Sequence, residues 1–385
     1  MKTKIKKREW LIYLVLFLYC TALFFKRVSL PFDVEIFLNK CITLAAILSL
    51  VNIVIDFRMT LKQWFLFGLI GVLLFVDSIP TGNHELFYLF LVLWACRNTD
   101  KRKTIKFIWS MVVVFTILIF CLVLLGVVEN EHFLLDGWRE RYGLGYSVWS
   151  ILPFQYMSIC MYALYFKKRK ITLKDLVIIT LGAVLIFLLT DTKSGLAYTC
   201  VGALGLYIVD RCRNIKWVKL EWMKWIPIIA AAGSYVVVVF FIKDITVLER
   251  LNIFLNHRLM YPALALERFS VQWLANPELY DSFGQADAYF GIDNNYLNLL
   301  FTWGILALII VCYIYVIIIR RCLANQDARM LFLVLFSIFV GLTWSRMIVL
   351  IEAEFLVCFS DLFRNEKKSF CENRFKRIKI EEYSN

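Results

Sequence analysis

The sequence contains repeated apolar runs, most of them fifteen to twenty or more residues long and almost free of charged side chains. About twenty residues of apolar helix cross the roughly 30 Å hydrocarbon core of a bilayer. Backbone groups in lipid must be hydrogen-bonded within the segment, which leaves α-helices for runs of this kind. Hydrophobic residues make up 61% of the chain, which is high for a soluble protein of 385 residues. The sequence therefore predicts an all-α polytopic membrane protein.

We predict about twelve transmembrane helices, of which the fourth, eleventh and twelfth are short and could be partly re-entrant. Their ranges are 10–25, 36–56, 64–79, 85–96, 106–128, 147–166, 175–190, 195–210, 225–242, 296–319, 330–343 and 347–359. The basic N-terminal stretch lacks a small-residue cleavage site, so we interpret it as part of a first membrane anchor. The predicted organisation is an N-terminal bundle of about nine spans (1–242), one large loop (243–295), C-terminal spans (296–360) and a charged tail (361–385).

The formal net charge of +13 is concentrated in alternate short loops between the apolar runs. The positive-inside rule assigns such loops to the cytoplasm. Both termini and the tail are then cytoplasmic, and the large loop is extracytoplasmic. This distribution argues against nucleic-acid binding. The 11 cysteines include no CxxC pair, and none lies in the large loop. We therefore predict no disulfide framework, no metal site and no cofactor.

The large loop begins with a helical pattern of leucines spaced by three or four residues or a multiple of them: Leu248, Leu251, Leu255, Leu259 and Leu266. On an ideal helix, Arg250, His257, Tyr261 and Arg268 fall on one face. Pro262 should kink or break that helix, so the alignment is secure only up to Tyr261. The pattern fits a solvated face on an interfacial helix. It also fits an anion-binding face, because the planar fork of arginine matches phosphate oxygens.

Three further outer stretches carry candidate binding residues. They are GWRERYGLGYSVW (137–149), with Arg139, Arg141 and two glycines that allow close backbone approach, TDTKSG (190–195), with Lys193, and GIDNNYLNLLFTWGIL (291–306), with Asp293 and Asn294. Each also has an ordinary structural interpretation. The first could be an interfacial aromatic belt, the second a hairpin turn, and the third a helix cap.

The sequence lacks the phosphate-binding loop of ATPases and the common signatures of metalloproteases, serine hydrolases and dinucleotide-binding proteins. Few acids lie within the predicted spans, and Glu352 and Glu354 are the possible exceptions. This scarcity counts against a proton-coupled transporter, because intramembrane ionisable residues mark ion pathways.

Taken together, these stretches resemble the bacterial O-antigen and capsular polysaccharide polymerases of the Wzy type. The resemblance covers most of the chain: about twelve spans, both termini inside and one large outer loop late in the sequence. The motifs that carry it are the Arg139–Gly145 stretch, TDTKSG, LNHR at 255–258, Gly284, Ile292-Asp293-Asn294-x-Tyr296 and Gly304. In TDTKSG, Lys193 stands where the family more often has arginine.

The resemblance implies a metal-independent glycosyltransferase that joins undecaprenyl-diphosphate-linked repeat units of a capsule, exopolysaccharide or O-antigen at the outer face of the bacterial cytoplasmic membrane. Arg258 is then the first choice for the diphosphate contact. The other implied substrate-binding residues are Arg139, Arg141, Lys193, Arg250, Asn294 and Tyr296, and the candidate bases are His257, Glu267 and Asp293. Implied partners are the lipid-linked oligosaccharide, membrane lipid, and a flippase and chain-length regulator of the same pathway.

Three alternatives stay open. A polysaccharide ligase shares the architecture and differs in its acceptor. Another lipid-linked-sugar glycosyltransferase would depend on the acidic pair Asp33 and Glu35 in the first outer loop. A repeat-unit flippase predicts charged residues along mid-membrane paths.

Overall fold

A computed structural model describes residues 2–55, 59–135, 139–212, 220–243, 246–254, 258–279, 292–346 and 348–363. The helices are α1 (Lys2–Phe25), α2 (Glu35–Ile55), α3 (Leu61–Ser78), α4 (Glu85–Ala95), α5 (Lys101–Leu124), α6 (Ile151–Phe166), α7 (Leu173–Thr190), α8 (Lys193–Arg211), α9 (Ile226–Ile242), α10 (Thr246–Phe254), α11 (Met260–Arg268), α12 (Asn295–Asn298), α13 (Gly304–Ala324) and α14 (Ala328–Val340). A π-helical turn, Leu299–Trp303, joins α12 to α13. Strands β1 (His132–Leu135) and β2 (Arg139–Tyr142) form an antiparallel hairpin in which His132 pairs with Tyr142.

Within the described ranges, six helical segments are long and apolar enough to cross a membrane: Glu35–Ile55, Leu61–Ser78, Lys101–Leu124, Leu173–Thr190, Glu221–Ile242 and Asn295–Ala324. Shorter apolar helices are Glu9–Phe25, Ile151–Phe166 and Ala328–Val340. Large apolar side chains of α7, such as Val177, Leu181, Leu185 and Leu188, are exposed. An apolar stripe of this size would be unfavourable in water and is favourable in lipid. The all-α membrane class predicted from the sequence is confirmed, whereas the count of twelve spans stays a prediction.

The connections between helices lie on two opposite faces of the bundle, as the contacts between them show. On one face, which we call the loop face, Val28 forms a β-bridge with Tyr146, and Asn294 donates to the carbonyl of Leu342. On the other face, which we call the basic face, Arg329 after the α13–α14 turn binds Asp210 at the end of α8. Among the described residues, the loop face carries 26–34, 125–135, 139–150, 191–192, 258–279, 292–294 and 341–346, and the basic face carries 96–100, 167–172 and 325–327.

The predicted last span, 347–359, is not an α-helix. After α14 the chain forms irregular turns over 341–353, apart from Met347, and then the 3₁₀ helix Glu354–Phe363. The 3₁₀ helix ends on the basic face, where Asp361 lies 2.6 Å from Arg321 and 3.4 Å from Lys101. Irregular backbone at membrane depth is tolerated when protein surrounds it. Residues 350–361 are all buried, which satisfies that condition.

The large loop does not contain the single helix that its leucine pattern predicts. Arg258 and Leu259 lie in a turn before α11, so Arg250 and Tyr261 belong to separate helices and do not share one helical face. Pro262 lies in the first turn of α11, where its missing N–H costs no hydrogen bond. The predicted kink is therefore a new helix start. Ala263 and Ala265 of α11 are buried in a small core that includes residues of α9 and α12.

Gly304 shows why a glycine is needed where the π-helical turn meets α13. Its φ is +81°, and a Cβ there would lie 2.5 Å from the carbonyl oxygen of Leu274. The close approach lets the amides of Ile305 and Leu306 donate to the carbonyls of Gln272 and Trp273. The large loop is therefore hydrogen-bonded directly to the backbone of the long Asn295–Ala324 segment.

We expect Gly304→Ala to lower the free energy of unfolding by about 2–4 kcal/mol. Alanine disfavours the positive φ, and its Cβ would clash with the carbonyl oxygen of Leu274. The measurement is the thermal denaturation of the purified protein in detergent. Gly233→Ala in α9 is the matched control, because a Cβ there would meet nothing within 4 Å. Equal melting temperatures for the two variants would show that stability does not require the close approach of residues 272–276 to the backbone at Gly304.

Candidate functional site

Arg258 is held at the loop face by two contacts from different parts of the chain. Its Nε lies 3.1 Å from Oδ2 of Asp293, and its Nη1 donates to the carbonyl of Thr343 at 2.7 Å. The side chain of Arg258 is 26% exposed. A guanidinium has five N–H donors, and these contacts use two of them. Among the described residues the other donors have no partner, so they can bind an anion that approaches from solvent.

The segment after Asp293 is fixed to the end of α14. Asn294 donates to Ser234 Oγ at 3.0 Å and to the carbonyl of Leu342 at 3.1 Å. Its own Oδ1 accepts from the amides of Tyr296 and Leu297, which makes Asn294 the N-cap of α12. The amide of Asn295 donates to the carbonyl of Gly341 at 2.7 Å. Asp293, and through it Arg258, is therefore positioned by hydrogen bonds of the Asn294 side chain and of the Asn295 backbone.

Tyr198 of α8 joins this segment to a second polar cluster. Its hydroxyl lies 2.5 Å from Oγ1 of Thr343. Lys193 is exposed at the first turn of the same helix, five residues earlier, which is about 7.5 Å along a helix axis. Two residues before Lys193, Asp191 lies 3.6 Å from Nη2 of Arg141. Arg141, Asp191 and Lys193 thus lie at the same end of α8 as Tyr198, the residue that reaches the contacts of Arg258.

Arg141 reaches Asp191 from the β-hairpin between α5 and α6. Its guanidinium lies 5.1 Å from the ring centroid of Trp149, a cation–π distance. Gly145 closes the loop that follows the hairpin with φ +86°, and a Cβ there would lie 2.7 Å from side-chain atoms of α5. This glycine therefore lets the loop pack closely against α5. Tyr146 is buried, and burial raises the pKa of its hydroxyl to about 12, so the ring packs the loop and is not an exposed platform.

A buried ion pair binds the 341–346 segment through Trp344. Arg27, after the end of α1, pairs with Glu352, and both side chains are almost fully buried. The other oxygen of Glu352 accepts from Nε1 of Trp344 at 2.8 Å, and Trp344 stacks on Phe154 with ring centroids 4.0 Å apart. Arg346 lies 5.8 Å from the Trp344 ring. The carboxylate of Glu352 therefore links α1 to the segment that carries Thr343.

The structure brings together some of the predicted site residues and separates others. Arg258, Asp293 and Asn294 converge, and Arg141 and Lys193 lie in the neighbouring cluster. Tyr296 is buried, and its hydroxyl donates to the carbonyl of Ile338 at 3.3 Å.

Arg250 in α10 and Glu267 in α11 are exposed, and neither forms an ion pair with the described part of the chain. His257 lies outside the described residues. Arg139 has its backbone in β2, but its side chain is outside the description. Asp33 accepts from the amide of Glu35 at 2.8 Å, as a cap at the start of α2.

Sequence reasoning missed Tyr198, Thr343 and Trp344, and did not assign Arg346 or Glu352 to the site. Glu352 offered the only strong signal, because a carboxylate within an apolar stretch needs a buried partner. Tyrosine, threonine, tryptophan and arginine are all common near helix ends, so the other four residues carried no such signal. Their roles depend on contacts with distant segments of the chain.

The arrangement suits an anionic ligand. Arg258 keeps N–H donors that its contacts with described residues do not use, and Lys193 adds a further positive charge. Asp293 and Asp191 orient Arg258 and Arg141, and the three cations outnumber the two carboxylates. Paired N–H donors from a guanidinium match the oxygens of a phosphate group. Comparisons of the chain with protein-family models, with curated proteins and with solved structures gave no match.

Proposed function

We propose that the protein is a polysaccharide polymerase that joins undecaprenyl-diphosphate-linked oligosaccharide repeat units at the outer face of the bacterial cytoplasmic membrane. The observation that supports this most is Arg258, an arginine of the large loop fixed by Asp293 and the Thr343 carbonyl with N–H donors to spare. A diphosphate leaving group needs fixed cations of this kind, because negative charge accumulates on it in the transition state.

In the proposed reaction, a hydroxyl of the acceptor repeat unit attacks the anomeric carbon of the donor glycan. The bond between that carbon and the diphosphate oxygen breaks, and undecaprenyl diphosphate leaves with the bonding electrons. Arg258 binds the diphosphate, with Arg141 and Lys193 as further cations. A base accepts the hydroxyl proton. Asp293 is the candidate base closest to Arg258, and its ion pair also gives it a positioning role; His257 and Glu267 remain the other candidates.

The proposed orientation places the loop face outside the cell and the basic face in the cytoplasm. Lysines and arginines are abundant on the basic face, among them Lys101, Lys167, Lys168, Arg321 and Arg329. The positive-inside rule favours this assignment. It places both termini in the cytoplasm, gives the chain about twelve crossings and exposes the Arg258 region to a substrate that has already been moved outward.

A repeat-unit flippase is a second candidate, and one observation favours it. Arg27, Glu352 and Glu354 are buried within the helix bundle, where ionisable residues are costly and often mark a transport path. Ser158 of α6 lies 3.5 Å from a carboxylate oxygen of Glu354, which extends this polar group toward the interior. We favour the polymerase because Arg27 and Glu352 form a buried ion pair with each other, so their charges do not serve a transported substrate.

The test is deletion of the gene in the bacterium that encodes it, followed by sizing and localisation of the lipid-linked glycans. A polymerase predicts single repeat units that accumulate on the outer face and long chains when the wild-type gene is restored. Repeat units trapped on the inner face would instead establish the flippase. Long lipid-linked chains that never reach their final acceptor would establish a ligase.

A further inference from the structure

A second polar region lies on the basic face, opposite the Arg258 region. It is an open cleft of about 510 Å³ between the ends of five helices. The residues that line it come from the start of α5, the end of α6, the end of α8 and the α13–α14 turn with the start of α14: Arg102, Tyr165, Lys167, Lys168, Val209, Asp210, Gln326, Asp327, Ala328 and Arg329. None of these residues takes part in the proposed polymerisation.

Two of the four cations in the cleft are already neutralised. Arg329 binds Asp210 through Nη2 at 2.6 Å and Nε at 3.2 Å, and its Nη1 donates to the carbonyl of Lys167 at 2.6 Å. The ammonium group of Lys167 pairs with Asp175. These contacts shape the cleft and leave no charge for a ligand.

The other two cations are not committed. Arg102 and Lys168 are exposed, and neither forms an ion pair with the described residues. The guanidinium of Arg102 lies 5.8 Å from the ring centroid of Tyr165, which holds it over the cleft. Asp327, the remaining carboxylate, accepts from the Tyr165 hydroxyl at 3.2 Å and caps α14. The cleft therefore has an excess of positive charge centred on Arg102 and Lys168.

The cleft is also preformed. Asp210 binds Arg329 with one oxygen and accepts from the amide of Ile171 with the other at 2.9 Å. Because Arg329 also holds the carbonyl of Lys167, the connection that carries Lys168 is fixed to both α8 and α14. In the proposed orientation, a cationic cleft at the ends of the apolar helices lies at the depth of lipid headgroups.

We propose that this cleft binds a phosphate group, with Arg102 and Lys168 as the ligands that supply charge. The same chemistry has two possible sources, the headgroup of an anionic phospholipid and soluble inorganic phosphate. The position of the cleft at the ends of the spanning helices favours the lipid, because a headgroup is delivered there by the bilayer itself.

The experiment compares two double variants of the full chain that remove equal charge from the same two segments. Arg102→Gln/Lys168→Gln removes the cations of the cleft. Lys103→Gln/Lys170→Gln is the control, because both lysines are exposed neighbours that do not line it. Binding of phosphatidylglycerol and of phosphatidylcholine is measured by native mass spectrometry of the detergent-purified protein, with and without added inorganic phosphate.

We expect phosphatidylglycerol to bind more tightly than phosphatidylcholine, and the first double variant to bind it about thirtyfold more weakly, roughly fivefold per cation. The control should change affinity by less than about threefold, through loss of general surface charge. Displacement of the lipid by inorganic phosphate in the wild type would support the phosphate site and assign a soluble source. Equal losses in the two double variants, or no preference for phosphatidylglycerol, would overturn the proposal. Neither result depends on polymerase activity.

Discussion

Arg258→Ala is expected to reduce the rate of glycan extension about a hundredfold or more, the usual effect of removing one fixed donor from a developing negative charge. The variant loses the guanidinium that Asp293 and the Thr343 carbonyl hold in place. The measurement is the length of lipid-linked glycans in a deletion strain that carries the variant, together with the amount of folded protein in its membranes.

Arg268→Ala is the matched control for this prediction. Arg268 is an exposed arginine at the end of α11 in the same large loop, so its loss should leave chain length unchanged. Arg258→Lys should give an intermediate rate, because an ammonium group keeps the charge and loses the paired donors. Full-length glycans from Arg258→Ala at normal abundance would remove this arginine from the site.

Glu352→Ala is expected to destabilise the protein by about 3–5 kcal/mol, because it leaves the buried cation of Arg27 without its partner. It also removes the acceptor of Trp344 Nε1. A loss of this size is a large part of the total stability of an ordinary folded protein. The expected result is a low yield of monodisperse protein in detergent and a much reduced melting temperature.

A double variant separates the lost charge from the lost packing. Arg27→Met/Glu352→Leu removes both charges, so it should recover most of the stability, apart from about 1 kcal/mol for the unpaired Trp344 N–H. Lys26→Ala is the control, because Lys26 pairs with the half-exposed Glu85 and such pairs contribute under about 1 kcal/mol. A Glu352→Ala variant as stable as Lys26→Ala would mean that the Arg27–Glu352 pair does not hold the 341–346 segment.

Much of the candidate site could be predicted from the sequence as a set of residues. Arg258, Asp293 and Asn294 were identified by charge, by position in the large loop and by resemblance, and they lie together. The pairing of Arg258 with the carbonyl of Thr343 could not be predicted, because a backbone carbonyl carries no sequence signal and the two residues are 85 positions apart. The predicted helical face through Arg250 and Tyr261 was wrong, because leucine spacing records only local periodicity and a turn intervenes at Arg258.

The sequence by itself determined the membrane class and the approximate places where helices occur. The free energy of transferring an apolar run into lipid is a sum of contributions from consecutive residues. It can therefore be estimated without knowing the fold. Only the tertiary structure decided that the chain after α14 continues as irregular turns and a 3₁₀ helix, and that Glu352 meets Arg27 at a separation of 325 residues. Such pairings depend on which helices are neighbours, and that is settled by the packing of the whole bundle.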